Sequence, residues 1–202
     1  MKKQNKIITK ETFLIRKARL KLTKESKLFP PPKIKIERIS DLKPGDLDDL
    51  CDATESAIIE GGGFGWLKVP PRKVLENYWK GVLTIPEREL IIGRLDNVVA
   101  GSCQIIKPSQ NNEAQKKTCI LTTFFLAPWA RGHGISPKLI LFAESFVKQK
   151  GFFVITLDVR KSQNRAIEIY EQNGYKKFGE NPFYAMVSED FVKGVYYYKK
   201  LN

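Results

Sequence analysis

The sequence predicts one α/β domain, and three observations carry that reading. Strand-like and helix-like apolar periods alternate along the chain. Two strand runs in the C-terminal half pass through glycine or polar turns directly into helix starts. A length of 202 residues is enough to bury a full core.

The elements follow in order. Ile34-Lys35-Ile36-Glu37-Arg38-Ile39 alternates as a first strand. Residues Pro44 to Ile59 read as a helix with Leu47, Leu50, Cys51, Ala53 and Ala57 on one face. A glycine stretch, Gly61 to Gly65 with Phe64 inside it and Trp66 after it, interrupts the pattern. Pro70-Pro71 opens a second helix running to about Leu83, with Val74, Leu75, Tyr78 and Trp79 on one side. Leu90 to Gly93 and Val98 to Ile106 are strands joined at Asp96-Asn97, a hairpin pair. Cys119 to Leu126 is the next strand, and a helical pattern runs from Pro137 to Lys150. Phe152 to Val159 is a buried-looking strand. A short strand after Tyr175, a loop at Gly179-Glu180-Asn181-Pro182 and a final strand at Val195 to Tyr198 close the order β-α-α-β-β-β-α-β-α-β-β.

Charge is concentrated at one end. Of a net +13, residues 1–35 hold twelve Lys and Arg against two Glu, a net +10, which leaves +3 for the remaining 167. The tail lacks the apolar run of a secretory signal, and no run in the chain approaches a membrane span. Phe29-Pro30-Pro31-Pro32 marks the boundary, because consecutive prolines form a stiff, non-helical spacer. The expectation is a basic, flexible extension over 1–32 and a folded domain over 33–202. An acidic partner such as RNA or the ribosome is one use for such an extension. Cys51, Cys103 and Cys119 show no paired spacing, and His133 is the sole histidine, so no zinc site can be assembled. An odd cysteine count without a leader suits buried thiols in a reducing, cytoplasmic setting.

The stretch Leu126 to Ser136 carries the chemistry. A strand ends at Pro128, and Arg131-Gly132-His133-Gly134 turns into a helix start. Such a turn presents unpaired N–H groups at the positive end of a helix dipole, a place for phosphates. It lacks the Lys-Ser or Lys-Thr of a nucleotide P-loop and the three-glycine spacing of a dinucleotide fingerprint. Pro137 makes Ser136 the expected N-cap. About twenty residues on, the strand ending in Leu157-Asp158-Val159-Arg160 leads to a helix with Asn164 as expected N-cap, and Gly174 sits past its end. Ala166, Ile167 and Tyr170 share one face, which turns Tyr170 inward.

A phosphate-cradling turn, then a strand, an Asn-led helix and an inward Tyr resembles the GNAT acetyltransferase superfamily. The match is specific over roughly the last 85 residues. The family's pyrophosphate loop falls on Arg131, Gly134 and Ser136, with Ser in place of a final Gly or Ala. The resemblance implies a mixed sheet of six to seven strands flanked by about four helices. It implies acetyl-CoA as co-substrate, with its pyrophosphate on Arg131, Gly132, His133, Gly134, Ile135 and Ser136. Its pantetheine would lie along Phe124, Phe125 and Leu126, and Asn164 would take part in binding. In motif, Leu157-Asp158-Val159-Arg160, Asn164, Ala166, Tyr170 and Gly174-Tyr175 look most like the ribosomal-protein alanine N-acetyltransferase branch. That branch implies Tyr170 as general acid and, in place of its Glu, Asp158 as general base. Asp is one methylene shorter, so Glu60 beside the glycine stretch and a water chain stay open as alternatives.

The implied reaction is acetyl transfer to a primary amine, either a protein N-terminus or a small molecule. At pH 7 an α-amine is roughly a tenth deprotonated and a lysine only about one part in a few thousand, so a base serves the reaction. Asp158, between Leu157 and Val159, is expected to be desolvated. Tyr184 and Tyr196 to Tyr198 are candidates to line an acceptor channel. A non-catalytic acyl-CoA-binding module and a ribosome- or RNA-associated protein acting through its tail are the competing readings. Many members of the superfamily pair, so a homodimer is one expected assembly.

Overall fold

In the computed structural model, which describes residues 30–62 and 64–201, the alternating run Ile34–Ile39 is strand β1. Apart from residues 30–32, the expected basic extension lies outside the described residues. The other elements are α1 (Asp46–Ile59), α2 (Arg72–Thr84), β2 (Arg88–Leu95), β3 (Val98–Ile106), β4 (Thr118–Leu126), α3 (Ile135–Gln149), β5 (Val154–Arg160), α4 (Asn164–Gln172), β6 (Lys176–Val187) and β7 (Asp190–Lys200). The seven strands form one mixed sheet in the order β1-β2-β3-β4-β5-β7-β6. With its four helices this is the fold class expected from the sequence.

Both faces of the sheet are covered at β2 and β3, so these two strands are buried along nearly their whole length. Leu90 and Ile92 pack with Leu50, Leu75 and Trp79 under α1 and α2. Ile91, between them, joins Leu139, Ile140, Ala143 and Tyr170 under α3 and α4. Trp79 is fully buried, and its indole N–H donates to Thr54 Oγ1 at 3.1 Å, so its one polar atom is satisfied. Val74, expected on the same inner side of α2, is exposed.

The pairing that shapes the site is between β4 and β5. They run parallel and pair at Thr118↔Val154, Cys119↔Ile155 and Ile120↔Thr156, and no further. Beyond that point β4 stays on β3, up to Gly101↔Leu126, while β5 stays on β7 over its whole length. The two strands therefore splay. At the mouth of the splay β4 carries a bulge, with register lost opposite Cys103 and Thr123 at φ +48°. A β-branched residue rarely adopts that conformation, so the bend is imposed by the fold.

Three local expectations are corrected. The loop expected at Gly179–Pro182 lies inside the twelve-residue strand β6, and the last strand begins at Asp190. β6 is the sheet edge, where Pro182 forfeits no ladder bond, and the register slips between Asn181 and Ala185. The turn that joins β6 to β7 is Ser188-Glu189, both at positive φ. Helix α3 starts at Ile135 with Gly134 at the N-cap, φ +76°, which puts Ser136 and Pro137 inside the first turn. Pro137 is tolerated there because first-turn N–H groups have no intrahelical partner. Helix α4 has Gln163 at the cap position, and Asn164 is its first residue. Its other end is as read: Gly174 has φ +81°, Tyr175 N–H reaches Tyr170 O at 3.1 Å, and Gly174 N–H reaches Glu171 O at 3.0 Å.

One buried ion cluster fixes β1, β2 and α1 together. Arg94 donates to Asp46 Oδ1 and Oδ2 at 2.7 and 2.9 Å and to Glu37 Oε1 at 2.7 Å. Hydrogen bonds from Lys35 and then Arg94 hold Glu37 down at about 2, below its ordinary 4.5. Burial pushes Asp46 up, but the bonds from Arg94 and the Lys43 N–H outweigh it and hold it low. A carboxylate held low in the fold stabilises fully above its unfolded value and loses that contribution as pH falls through the folded one. The Glu37 contribution should therefore disappear between about pH 4.5 and about 2. Arg94→Met strands Asp46, which is 3% exposed. Urea denaturation at pH 7 should show a loss of about 3–5 kcal/mol, and a loss below about 1 kcal/mol would show that the cluster does not hold these elements.

Candidate active site

Two cavities open along the splay. The first, about 760 Å³, lies between the β4 segment Leu121–Phe124 and the β5 end Asp158–Arg160. Its far wall is Phe64, Trp66 and Tyr78, and Tyr184 and Met186 of β6 close one side. The second, about 500 Å³, runs from Phe124, Phe125 and Leu126 to Arg131, Gly132, Gly134, Ile135 and Ser136 at the start of α3. Phe124, Gln163 and Ala166 line both, so the cavities meet there.

The second cavity gathers most of the residues expected to hold a phosphate-bearing cofactor. Gly132 and Gly134 stand at φ +83° and +76°, and a Cβ on either would meet nothing within 4 Å. The backbone conformation demands glycine at both positions; space does not. No side chain caps the N-terminus of α3, so its first-turn N–H groups are left for an anion. Ile135 is 1% exposed, its side chain packed in the core against Gly93, so its amide is the group it can offer to the cavity. His133 and Asn164 are exposed and line neither cavity. Glu60 also borders this second cavity and pairs with Arg131 across 71 positions of sequence.

The first cavity holds the acid–base candidates. Tyr170, 5% exposed, faces it from α4, its ring 5.7 Å from that of Phe124. Burial, reinforced by Cys103, Asp158 and Tyr184, pushes the Tyr170 hydroxyl well above its usual range, so it is protonated at neutral pH. Asp158 lies on the cavity wall and is exposed, which corrects the expected desolvation; the Tyr184 hydroxyl donates to its Oδ2. Gln104, fully buried on β3, donates from Nε2 to the Tyr78 hydroxyl at 2.9 Å and fixes that part of the aromatic wall.

Two residues that sequence reading gave no role, Arg160 of the quoted motif and Gln163, tie the glycine stretch down. Arg160 Nη2 donates to Gly62 O at 2.6 Å and to Phe64 O at 3.3 Å, and Gln163 Nε2 donates to Gly61 O at 2.7 Å. The stretch is thus roofed onto the cavity junction, with Phe64 packed 4.7 Å from the ring of Phe125. Nothing in local sequence marks Gln163, since its partner lies 102 residues away.

Cys51, Cys103 and Cys119 are unpaired and buried, and burial raises all three thiols, Cys119 to about 12. They are packing residues and no nucleophile. Among the described residues no cluster of His, Cys, Asp or Glu is arranged to hold a metal ion, and no helix is long and apolar enough to cross a membrane.

Comparison with known proteins agrees with this geometry. The model of the Acetyltransferase (GNAT) family matches residues 53–175. An uncharacterized N-acetyltransferase from the hisH-hisA intergenic region of Azospirillum brasilense is 54% identical over 132 residues, 65% of this chain and 79% of the relative. The structure of yncA from Salmonella typhimurium, a putative acetyltransferase solved with its cofactor acetyl-CoA, superposes with TM-score 0.68 at 10% identity over 84% of this chain and 95% of its own. A ribosomal-protein-alanine N-acetyltransferase from Brucella melitensis also superposes with TM-score 0.68, at 14% identity over 83% and 99%. The equal scores show a shared fold and do not single out the ribosomal-protein alanine branch.

If Arg160 holds the roof, Arg160→Ala should raise amide hydrogen exchange across Gly61–Trp66 by about tenfold or more, with core strands β2 and β3 unchanged. Unaltered exchange in the stretch would mean that these contacts do not hold it.

Proposed function

The chain belongs to the GNAT acetyltransferase family, and we propose that it moves the acetyl group of acetyl-CoA onto a primary amine held against Asp158 and Tyr170. The observation that carries this reading is the junction at Phe124, Gln163 and Ala166, where a cavity edged by free helix N–H groups meets one walled by a carboxylate and a phenol. The residues present fit acetyl-CoA. Uncapped amides of α3 and the Arg131 guanidinium suit a pyrophosphate, and β4 residues Phe124 to Leu126, lacking a β5 partner, suit the amide-bearing arm. When bound, acetyl-CoA supplies an acyl group activated as a thioester.

The work of the chain is then proton handling and orientation. Asp158 takes a proton from the incoming ammonium at Oδ1, directly or through water, since Oδ2 accepts from Tyr184. The Tyr170 hydroxyl, kept protonated by burial, would give its proton to the sulfur as the carbon–sulfur bond breaks. It would be restored by the second proton that the amine nitrogen loses once its bond to the acyl carbon has formed. Glu60 is the weaker base candidate because it sits on the other cavity with Arg131. The aromatic wall of Phe64, Trp66, Tyr78 and Tyr184 favours an amine carried on an apolar or aromatic skeleton. Both a small amine and a peptide N-terminus with an apolar first side chain satisfy that chemistry. The buried, unpaired cysteines suit a reducing compartment such as the cytoplasm, and residues 1–32 are assigned as a basic extension outside the transferase domain.

Tyr170→Phe tests the assignment. With an amine acceptor, kcat should fall by on the order of 10²–10⁴ while acetyl-CoA affinity stays within about twofold. An unchanged kcat would remove Tyr170 from the acid role.

A further inference from the structure

We propose that Tyr184 is a positioning residue that acts through Asp158, and that Gly194 supplies the gap through which it reaches. The inference rests on the reading of Asp158 as the group that takes the amine proton. Tyr184 is on β6 and Asp158 is on β5, and β7 lies between them. Two strand spacings are about 9.5 Å, so a side chain from β6 can touch one on β5 only by lying across the face of β7.

Gly194 of β7 sits at that crossing. It pairs with Arg160 of β5 on one side and Asn181 of β6 on the other. A Cβ built on Gly194 would overlap Cβ, Cγ and Cδ2 of Tyr184. Those atoms are at the root of the side chain, so the ring could not swing aside and keep its hydroxyl in place. The φ of Gly194 is not among the positive ones, so the ring above it, and no strained backbone, calls for glycine. The slip in β6 between Asn181 and Ala185 completes the arrangement, because an irregular strand can aim a side chain along the sheet where a regular one would point it away. The ring is braced edge-on against Tyr196, with centroids 6.3 Å apart.

The consequence falls on Asp158. It is short and exposed, and left alone it would sample several rotamers. With Oδ2 accepting from Tyr184, one oxygen is tethered and the other is presented to the cavity. Burial and the adjoining carboxylate keep the Tyr184 proton in place through the neutral range, so this phenol orients and does not titrate.

The test is a double-mutant cycle on the full chain, reading kcat, acceptor KM, acetyl-CoA affinity and Tm for Tyr184→Phe, Asp158→Asn and the pair. Gly194→Ala is the second probe. Tyr184→Phe should lower kcat about tenfold to a hundredfold, with acetyl-CoA affinity and Tm unchanged. In the Asp158→Asn background it should cost nothing further. Gly194→Ala should reproduce the kcat loss with Tyr184 still present. If Gly194→Ala lowers Tm sharply, Tyr184→Phe, which removes one hydroxyl, decides alone. Equal losses in both backgrounds, or none in either while Asp158→Asn is slow, would overturn the positioning role and leave Asp158 as the base. Full turnover in Asp158→Asn would overturn the base reading itself.

Discussion

The parallel pairing of β4 with β5 lasts for three residue pairs, and the site depends on where it stops. Each strand keeps its other neighbour to the end, β4 on β3 and β5 on β7, so the gap is held open from both sides. Backbone groups along the free edge of β4 need partners, because an unpaired buried N–H or C=O is costly. The gap also places two helix starts, those of α3 and α4, beside one another at the C-terminal ends of the strands. A ligand with a polar arm and a phosphate satisfies both requirements at once. The bulge at Thr123 and the roof of the glycine stretch shape the same opening from β4 and α1.

Charge is used differently in two ion-paired clusters. The Arg94 cluster is buried and fully bonded, and it serves as a fixed joint between β1, β2 and α1. The Arg131–Glu60 pair is about half exposed on both sides. Such a pair contributes little to stability, roughly 0–1 kcal/mol, so Arg131 can exchange a carboxylate for a phosphate at small cost. The same comparison separates the two acidic candidates in the cleft. Glu60 has a cationic partner beside the start of α3, whereas Asp158 has a phenol in the cavity that β6 closes.

What the sequence made legible is what local geometry determines. Asp96-Asn97 and Gly174 occupy positive-φ positions that their residue types announce, and the alternation of Ile34–Ile39 set the bounds of β1. The turn into α3 was readable because Gly132 and Gly134 occupy left-handed positions that suit their residue type. Caps were misplaced by one or two residues, since Gly134 competes with Ser136 for the N-cap and the left-handed glycine prevails. Ser188-Glu189 turns without glycine or asparagine, and Pro182 sits in a strand because an edge asks nothing of its nitrogen. Contacts across the sheet were invisible. The hydroxyl of Tyr184 meets Asp158 through a strand order and a register slip that no window of sequence contains, and Gln163 meets Gly61 across 102 residues.

Calorimetric titration of acetyl-CoA into the full chain and into Gly134→Glu tests the central claim most directly. The side chain of residue 134 would meet open space at the mouth of the α3 amides, so the added carboxylate would face the phosphates. Micromolar binding to the parent chain, lost in Gly134→Glu while the urea midpoint stays within reach of the strain expected at a positive φ, is the result predicted here. Equal affinity in both proteins, or no binding to either, would contradict the placement of the cofactor on the Arg131–Ser136 turn.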